Sequence, residues 1–139
     1  MSMKILFDTN IILDVLLDRK PHSLAAIELL SAVENKIIDG TLCATTITTI
    51  DYLITKSKGR AASKDAISCL LDLFEIAEVN TATLRSALES DFTDFEDAVL
   101  YFSGVAIGLD GVVTRNSNDF KLAMLPIYSP SDLISKISS

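Results

Sequence analysis

Lys4-Ile5-Leu6-Phe7-Asp8-Thr9-Asn10 is an apolar run that stops abruptly on an acid. Ile5, Leu6 and Phe7 are consecutive rather than alternating with polar residues, the pattern of a strand buried on both faces. Ile11, Ile12, Val15 and Leu16 then recur at helical spacing, so Asp8-Thr9-Asn10 reads as a strand-to-helix turn. In an open parallel sheet that turn lies at the carboxyl end of a strand, where ligands bind. Two readings of the turn follow. Asp8 or Asn10 caps the helix by accepting hydrogen bonds from free N–H groups, or the carboxylate serves chemistry.

The rest of the chain fits one α/β domain spanning residues 1–139, long enough to bury a core without disulfide or metal staples. Apolar residues make up 49% and there is no Trp, which favours an aliphatic core. No apolar run approaches the ~20 residues that span a bilayer, and no basic segment followed by a long hydrophobic one marks secretion. Cys43 and Cys69 each sit in an apolar pattern, as buried free thiols of a reducing cytoplasm would. His22 stands alone, so a His-rich zinc site or a Ser-His-Asp triad has little to build on. The net charge of −7 argues against a protein that coats nucleic acid non-specifically. It leaves room for an enzyme that grips nucleic acid through bound cations and one basic edge. Lys56, Lys58, Arg60 and Lys64 supply such an edge, unless they are only a solvated interhelical loop.

Along the chain, Pro21 opens a second helix with Leu24, Ile27, Leu30 and Val33 among its buried residues. Asp39-Gly40 reads as a turn and Thr41 to Ala44 as a strand, after which Thr45 or Thr46 caps a helix carrying Ile47, Ile50 and Ile54. Ala62 to Phe74 forms another helix, with Ile67, Leu70, Leu71 and Phe74 as its apolar side. Ile76 to Val79 is a strand and Thr81 to Glu89 a helix. Gly111 to Thr114 is the next strand, Leu125 to Tyr128 a short last one, and Ser131 caps a terminal helix. Strands alternating with helices imply a mainly parallel sheet with helices on both faces.

Four acids stand out. Asp8 ends the first strand. Asp97 leads into Ala98 to Leu109, a stretch with no charged residue and therefore a central, buried helix with Tyr101 and Val105 on its stripe. Asp94 can cap that helix and Glu96 already supplies first-turn charge, which leaves Asp97 surplus to the helix's own needs. Asp119 follows a strand much as Asp8 does, although an Asp-rich turn would explain it too. Thr114 and Asn116 stand nearby to orient water or a carboxylate. Asp51 shares a helix edge with Ile47 and Ile54, a boundary position that many helices fill with an acid for no functional reason. Carboxylates gathered at one sheet edge repel, and a hard divalent cation relieves the repulsion. Mg²⁺, which keeps several waters and needs few protein carboxylates, suits such a pocket and the hydrolysis of a phosphodiester.

Three motifs together resemble the PIN-domain ribonucleases: Phe7-Asp8-Thr9-Asn10, Asp94-Phe95-Glu96-Asp97-Ala98, and Thr114-Arg115-Asn116-Ser117-Asn118-Asp119-Phe120. Their order and spacing match over nearly the whole chain. With Leu13-Asp14 and Arg19-Lys20-Pro21, they are most similar to toxins of bacterial type II toxin–antitoxin pairs, the virulence-associated protein C type. The resemblance implies a three-layer α/β/α domain with a mainly parallel central sheet. It implies a cytoplasmic enzyme that cuts single-stranded RNA with Mg²⁺ or Mn²⁺ held by Asp8 and Asp97, with Asp119 in support. It also implies a homodimer and a small antitoxin that blocks the acidic pocket. The family's helix acid is commonly Glu; the matching position is Asp51, one methylene shorter, which reaches a metal through water. Lys56, Lys58 and Arg60 would guide RNA, and Asn10, Thr114 and Asn116 would orient the site. Two other readings stand beside this one. One is a non-catalytic PIN-like module binding RNA or protein. The other is an aspartyl-nucleophile phosphatase resembling the haloacid dehalogenases, which usually carry Asp two residues on, where this chain has Asn10.

Overall fold

The computed structural model describes residues 2–139. Five strands form one sheet in which every pairing is parallel: β1 (Lys4–Phe7), β2 (Asp39–Cys43), β3 (Glu75–Ala77), β4 (Gly111–Val113) and β5 (Ile127–Tyr128). Their spatial order is β3-β2-β1-β4-β5. The chain builds outward from β1 on one side through β2 and β3, then crosses to β1's other side for β4. The C-terminal ends of β1 and β4 therefore flank the topological switch point, the usual ligand crevice of an open α/β sheet.

Successive residues of β1 point to opposite faces, and each face has its own core. Ile5, Phe7, Leu42 and Val113 pack under α1 (Thr9–Leu16), α2 (Ser23–Glu34), α3 (Ala44–Lys58), α4 (Arg60–Leu73) and α7 (Pro130–Ser138). Leu6, Cys43 and Val112 pack under α5 (Thr81–Glu89), α6 (Phe95–Val105) and Phe120 from a 3-10 turn over Ser117–Phe120. The consecutive apolar residues of β1 are buried because helices cover both sides.

Several local expectations are corrected. Gly40 is no turn residue but the second position of β2, paired with Ile5. A Cβ there would come within 2.6 Å of Phe74, which packs edge-on against Phe7. Leu24 and Ile27 of α2 are 77% and 47% exposed, and the buried side runs through Ser23, Ala26, Leu29 and Val33. That helix is apolar nearly all round, so periodicity alone does not select its inner face. Cys43 is buried, whereas Cys69 lies exposed on α4, as does Leu71. The uncharged stretch after Asp97 remains helical only to Val105, itself exposed. Neither Thr45 nor Thr46 caps α3; Cys43 holds that position and its side chain makes no capping bond. Ser129, not Ser131, caps α7 by accepting from the Asp132 N–H at 3.1 Å.

Candidate active site at the switch point

Asp8 is the N-cap of α1, and it is also nearly buried between the ends of β1 and β4. Its backbone N–H continues the ladder to Val113 O at 3.0 Å, which fixes where the side chain starts. Oδ1 accepts from the Thr9 N–H at 2.7 Å. Oδ2 accepts from the Thr114 hydroxyl at 2.7 Å and from Asn10 Nδ2 at 3.3 Å. Thr114 Oγ1 in turn accepts from the Asn116 N–H at 3.0 Å, so the loop after β4 is tied to the same carboxylate. Thr9 Oγ1 shares a 2.9 Å hydrogen bond with Thr46 Oγ1 from the first turn of α3. Capping and site-building are one geometry here, not rival readings.

Asp97 approaches from α6. The cap of that helix is Asp94, whose Oδ1 accepts from the Asp97 N–H at 2.9 Å. With the cap supplied, Asp97's own carboxylate makes no bond to the helix end. Burial raises its pKa to about 7, helped by the negative charges of Asp8, Asp94, Asp119 and Glu96. The carboxyl of Asp8 is also pushed up by burial; its bonds to Thr114 and Thr9 pull it back, and the charges of Asp119 and Glu96 push it further up. Asp8, Asp97 and Asp119 thus share one electrostatic neighbourhood. Asp119 contributes from an exposed position in the 3-10 turn, and the Asn116 side chain is also exposed.

Asp51 lies elsewhere in this network. Its Oδ1 accepts from the Ser63 hydroxyl at 2.7 Å and from the Thr55 hydroxyl at 3.3 Å, which fastens α3 to α4. It is not among the charges acting on Asp8 or Asp97. The basic residues are not a loop. Lys56 and Lys58 occupy the last turn of α3, Arg60 and Lys64 begin α4, and only Gly59, at φ +94°, separates the helices. All four cations are exposed. Lys58 Nζ also donates to Leu16 O at the end of α1, at 2.8 Å.

Whether the residues present suit a divalent cation is decided by the donor set. Among the described residues, no three His, Cys, Asp or Glu side chains form a ready-made metal cage. Two carboxylates with raised proton affinity and further acids acting on them still make a place that gains from a cation. Asn10 Oδ1 is a buried acceptor with no hydrogen-bond partner, an additional oxygen lacking a donor. An all-oxygen set of few protein ligands completed by water suits Mg²⁺ or Mn²⁺ and does not suit zinc.

A further element joins three residues that the sequence shows only as parts of the family resemblance, with no role attached. Asp14 is fully buried in α1, and two guanidinium groups hold it. Arg19 Nε donates to Oδ1 at 2.8 Å, while Arg115 donates through Nε to Oδ2 at 2.7 Å and through Nη2 to Oδ1 at 3.2 Å. Arg19 Nη2 also reaches Asn10 O at 3.1 Å. This triad locks α1, the turn after it and the loop after β4 into one unit beneath the carboxylates. The available signal was an acid inside an otherwise apolar helix, between Leu13 and Val15.

Comparison with known proteins meets this geometry at the family level. A family model described as PIN domain matches residues 4–118, most of the chain and every strand except β5. The chain belongs to the PIN-domain family. Among curated proteins, no sequence matches it significantly. Solved structures share the fold at low identity. VapBC2 from Rickettsia felis, bound to a DNA fragment from its promoter, superposes with TM-score 0.67 at 18% identity, covering 91% of this chain and 98% of that one. A toxin–antitoxin complex from Klebsiella pneumoniae gives 0.68 at 22% identity, covering 91% and 97%. VapC20 from Mycobacterium tuberculosis, a toxin that cleaves the sarcin-ricin loop, gives 0.69 at 15% identity, covering 88% and 96%. This PIN domain thus has the α/β sheet expected from its sequence, with all pairings parallel. Among the described residues, no helix is long and apolar enough to cross a membrane.

Proposed function

We propose that this PIN domain is a Mg²⁺- or Mn²⁺-dependent endoribonuclease that hydrolyses phosphodiester bonds of single-stranded RNA, and that it works in the cytoplasm as the toxin of a toxin–antitoxin pair. The observation that carries the reading is the Asp8–Asp97 pair at the switch point, with both pKa values raised by burial and surrounding negative charge. Asp8, Asp97 and the free Asn10 oxygen would hold the ion, and Asp119 would act through water. When bound, such an ion neutralises charge on the phosphodiester and lowers the pKa of a water. The chain's own residues do the rest. The Thr9 N–H on Oδ1, and Thr114 with Asn10 on Oδ2, fix the Asp8 carboxylate. Burial and the neighbouring acids make ionised Asp97 costly without a cation, so a bound ion is what would keep its carboxylate charged near neutral pH. Lys56, Lys58, Arg60 and Lys64 attract the RNA backbone.

The partner and assembly belong to the same reading: a small antitoxin protein covering the acidic pocket, and a homodimer of the toxin. Support comes from the structural relatives, which include toxin–antitoxin complexes over nearly their full length. Family membership displaces the aspartyl-phosphatase alternative. A second reading, a PIN module that binds without cutting, has one observation in its favour: Asp51 is engaged by Ser63 and Thr55 instead of standing with Asp8 and Asp97. Purified protein incubated with single-stranded RNA, with Mn²⁺ or with a chelator, separates the two. Cleavage that requires the ion and disappears in Asp97→Asn supports the enzyme; RNA binding without cleavage under any ion supports the module.

A further inference from the structure

Past the ends of β4 and β5, next to Arg115, lies a cavity of about 340 Å³ lined by Pro21, His22, Arg115, Ser129, Pro130 and Ser131. Its position is fixed relative to the candidate active site. Thr114, which holds Asp8, is the residue immediately before Arg115, and the Thr114 N–H bonds to Tyr128 O at 3.0 Å, one residue before Ser129. The charge balance beneath it is unequal. Arg19 and Arg115 carry two positive charges against the single negative charge of buried Asp14, which leaves one in excess. Arg115 spends Nε and Nη2 on Asp14, while no bond occupies Nη1 among the described residues. His22 and two serine hydroxyls add polar groups, and the two prolines give flat apolar walls. Asp132, the acid in the first turn of α7, is exposed and does not line the cavity.

We propose that this cavity is a subsite for one nucleotide unit of the RNA strand beyond the cleaved bond, with its phosphodiester against Arg115 and His22 and its sugar between Pro21 and Pro130. The proposal rests on the ribonuclease reading above and specifies where the strand runs after leaving the carboxylates. An acidic protein that must hold a polyanion gains most from a cation placed next to its negative site. Arg115 is such a cation, and the fully buried Asp14 keeps it from swinging away. A planar guanidinium with its fork partly engaged still presents donors to a phosphate.

His22 is the only histidine of the chain, so its imidazole gives a single reporter resonance. The test uses metal-free protein with a short single-stranded RNA, so binding is read without cleavage and independently of whether the enzyme is active. We expect the RNA to shift the His22 resonance, and a mononucleotide or inorganic phosphate to do so only at far higher concentration. Ser131→Glu adds a negative charge at the cavity mouth. It should also preserve the fold, since an acid in the first turn of α7 favours the helix. RNA affinity should fall about tenfold in that variant, and clearly less in Ser131→Gln, which is equal in size to Glu but neutral. An RNA-insensitive His22 resonance, equal affinity in both Ser131 variants, or inorganic phosphate binding as tightly as RNA would overturn the subsite. RNA binding that shifts His22 in a protein unable to cleave would keep the subsite and reject the enzyme reading.

Discussion

The Thr114 hydroxyl donates to Asp8 Oδ2 at 2.7 Å across the junction of β1 and β4, and both residues are buried. Without that donor the Asp8 carboxyl would hold its proton to higher pH and keep only the Thr9 N–H and Asn10 Nδ2 as partners. Thr114→Val keeps the shape and removes the donor. We expect a stability loss of about 1–3 kcal/mol, because Asp8 loses its shortest side-chain donor and the Asn116 N–H loses its acceptor. The pKa of Asp8 should rise further, so Mn²⁺ affinity should fall more at pH 6 than at pH 8. Calorimetric titration at the two pH values checks this; an equal loss at both would show that Thr114 does not tune Asp8.

Asp8→Asn and Asp97→Asn each remove one negative ligand while keeping size and, at position 8, much of the capping ability. Mn²⁺ affinity and RNA cleavage should fall steeply together. Thermal melts without metal should show the fold retained, with Asp97→Asn equal to or above wild type because a repelled, partly buried charge has gone. Unchanged Mn²⁺ binding in both variants would remove the metal site.

The pH dependence of stability follows from Asp97. With its pKa raised from 3.8 to about 7, the native state holds a proton that the unfolded chain has released throughout that interval. Stability from this group is therefore greatest at low pH, declines as pH rises from 3.8 to about 7, and levels off above. Other carboxylates titrate as well, so the informative quantity is the difference in melting temperature between wild type and Asp97→Asn. That difference should widen in the variant's favour between pH 4.5 and 7.5, and millimolar Mn²⁺ should narrow it by stabilising ionised Asp97. A difference independent of pH would contradict the shift.

Asp51 is open to a direct test of structure against chemistry. Asp51→Ala leaves the fully buried Ser63 hydroxyl without its 2.7 Å acceptor, so we expect a loss of about 1–3 kcal/mol in chemical denaturation. Ser63→Ala removes the other partner and leaves Asp51 less constrained. If Asp51 only fastens α3 to α4, Ser63→Ala and Asp51→Ala should both melt early, and cleavage per folded molecule should match wild type. If Asp51 belongs to the pocket, Asp51→Glu should match or exceed wild-type cleavage and Asp51→Ala should lose it.

Replacing Lys56, Lys58, Arg60 and Lys64 by Ala should weaken RNA binding and flatten its salt dependence, because fewer counterions are released. Lys58 donates to Leu16 O, so a small stability cost should accompany it. A variant that retains Lys58 isolates the electrostatic effect. Identical salt slopes in the triple variant and wild type would return these cations to ordinary surface.

Much of the candidate site is legible as a pattern because its residues sit where chain direction changes. Asp8 ends an unbroken apolar strand, Asp97 begins an uncharged helix, and Thr114 ends another apolar strand; each transition is a local pattern. The Asp14 triad was not legible, since Arg115 lies 101 residues away and nothing local announces the pairing. Asp51 was placed correctly on its helix, but the direction of a short carboxylate depends on Ser63 from the next helix. The inner face of α2 escaped for another reason: Leu24 and Ile27 are as apolar as Ala26 and Leu29, and only packing against the sheet chooses between them.

The sheet order has a consequence for how the site comes into being. Asp8 is made first, yet its second flank is β4, and Thr114 lies 106 residues further on. A chain emerging from the ribosome can pair β1 with β2 and β3 early, with Asp8 still open to water on its other side. Even when Asp97 has been added, the strand that should close the crevice is missing. The Asp8 carboxylate thus stays open on one side until β4 and Thr114 have been made, and any chain that stops before them lacks that wall of the crevice.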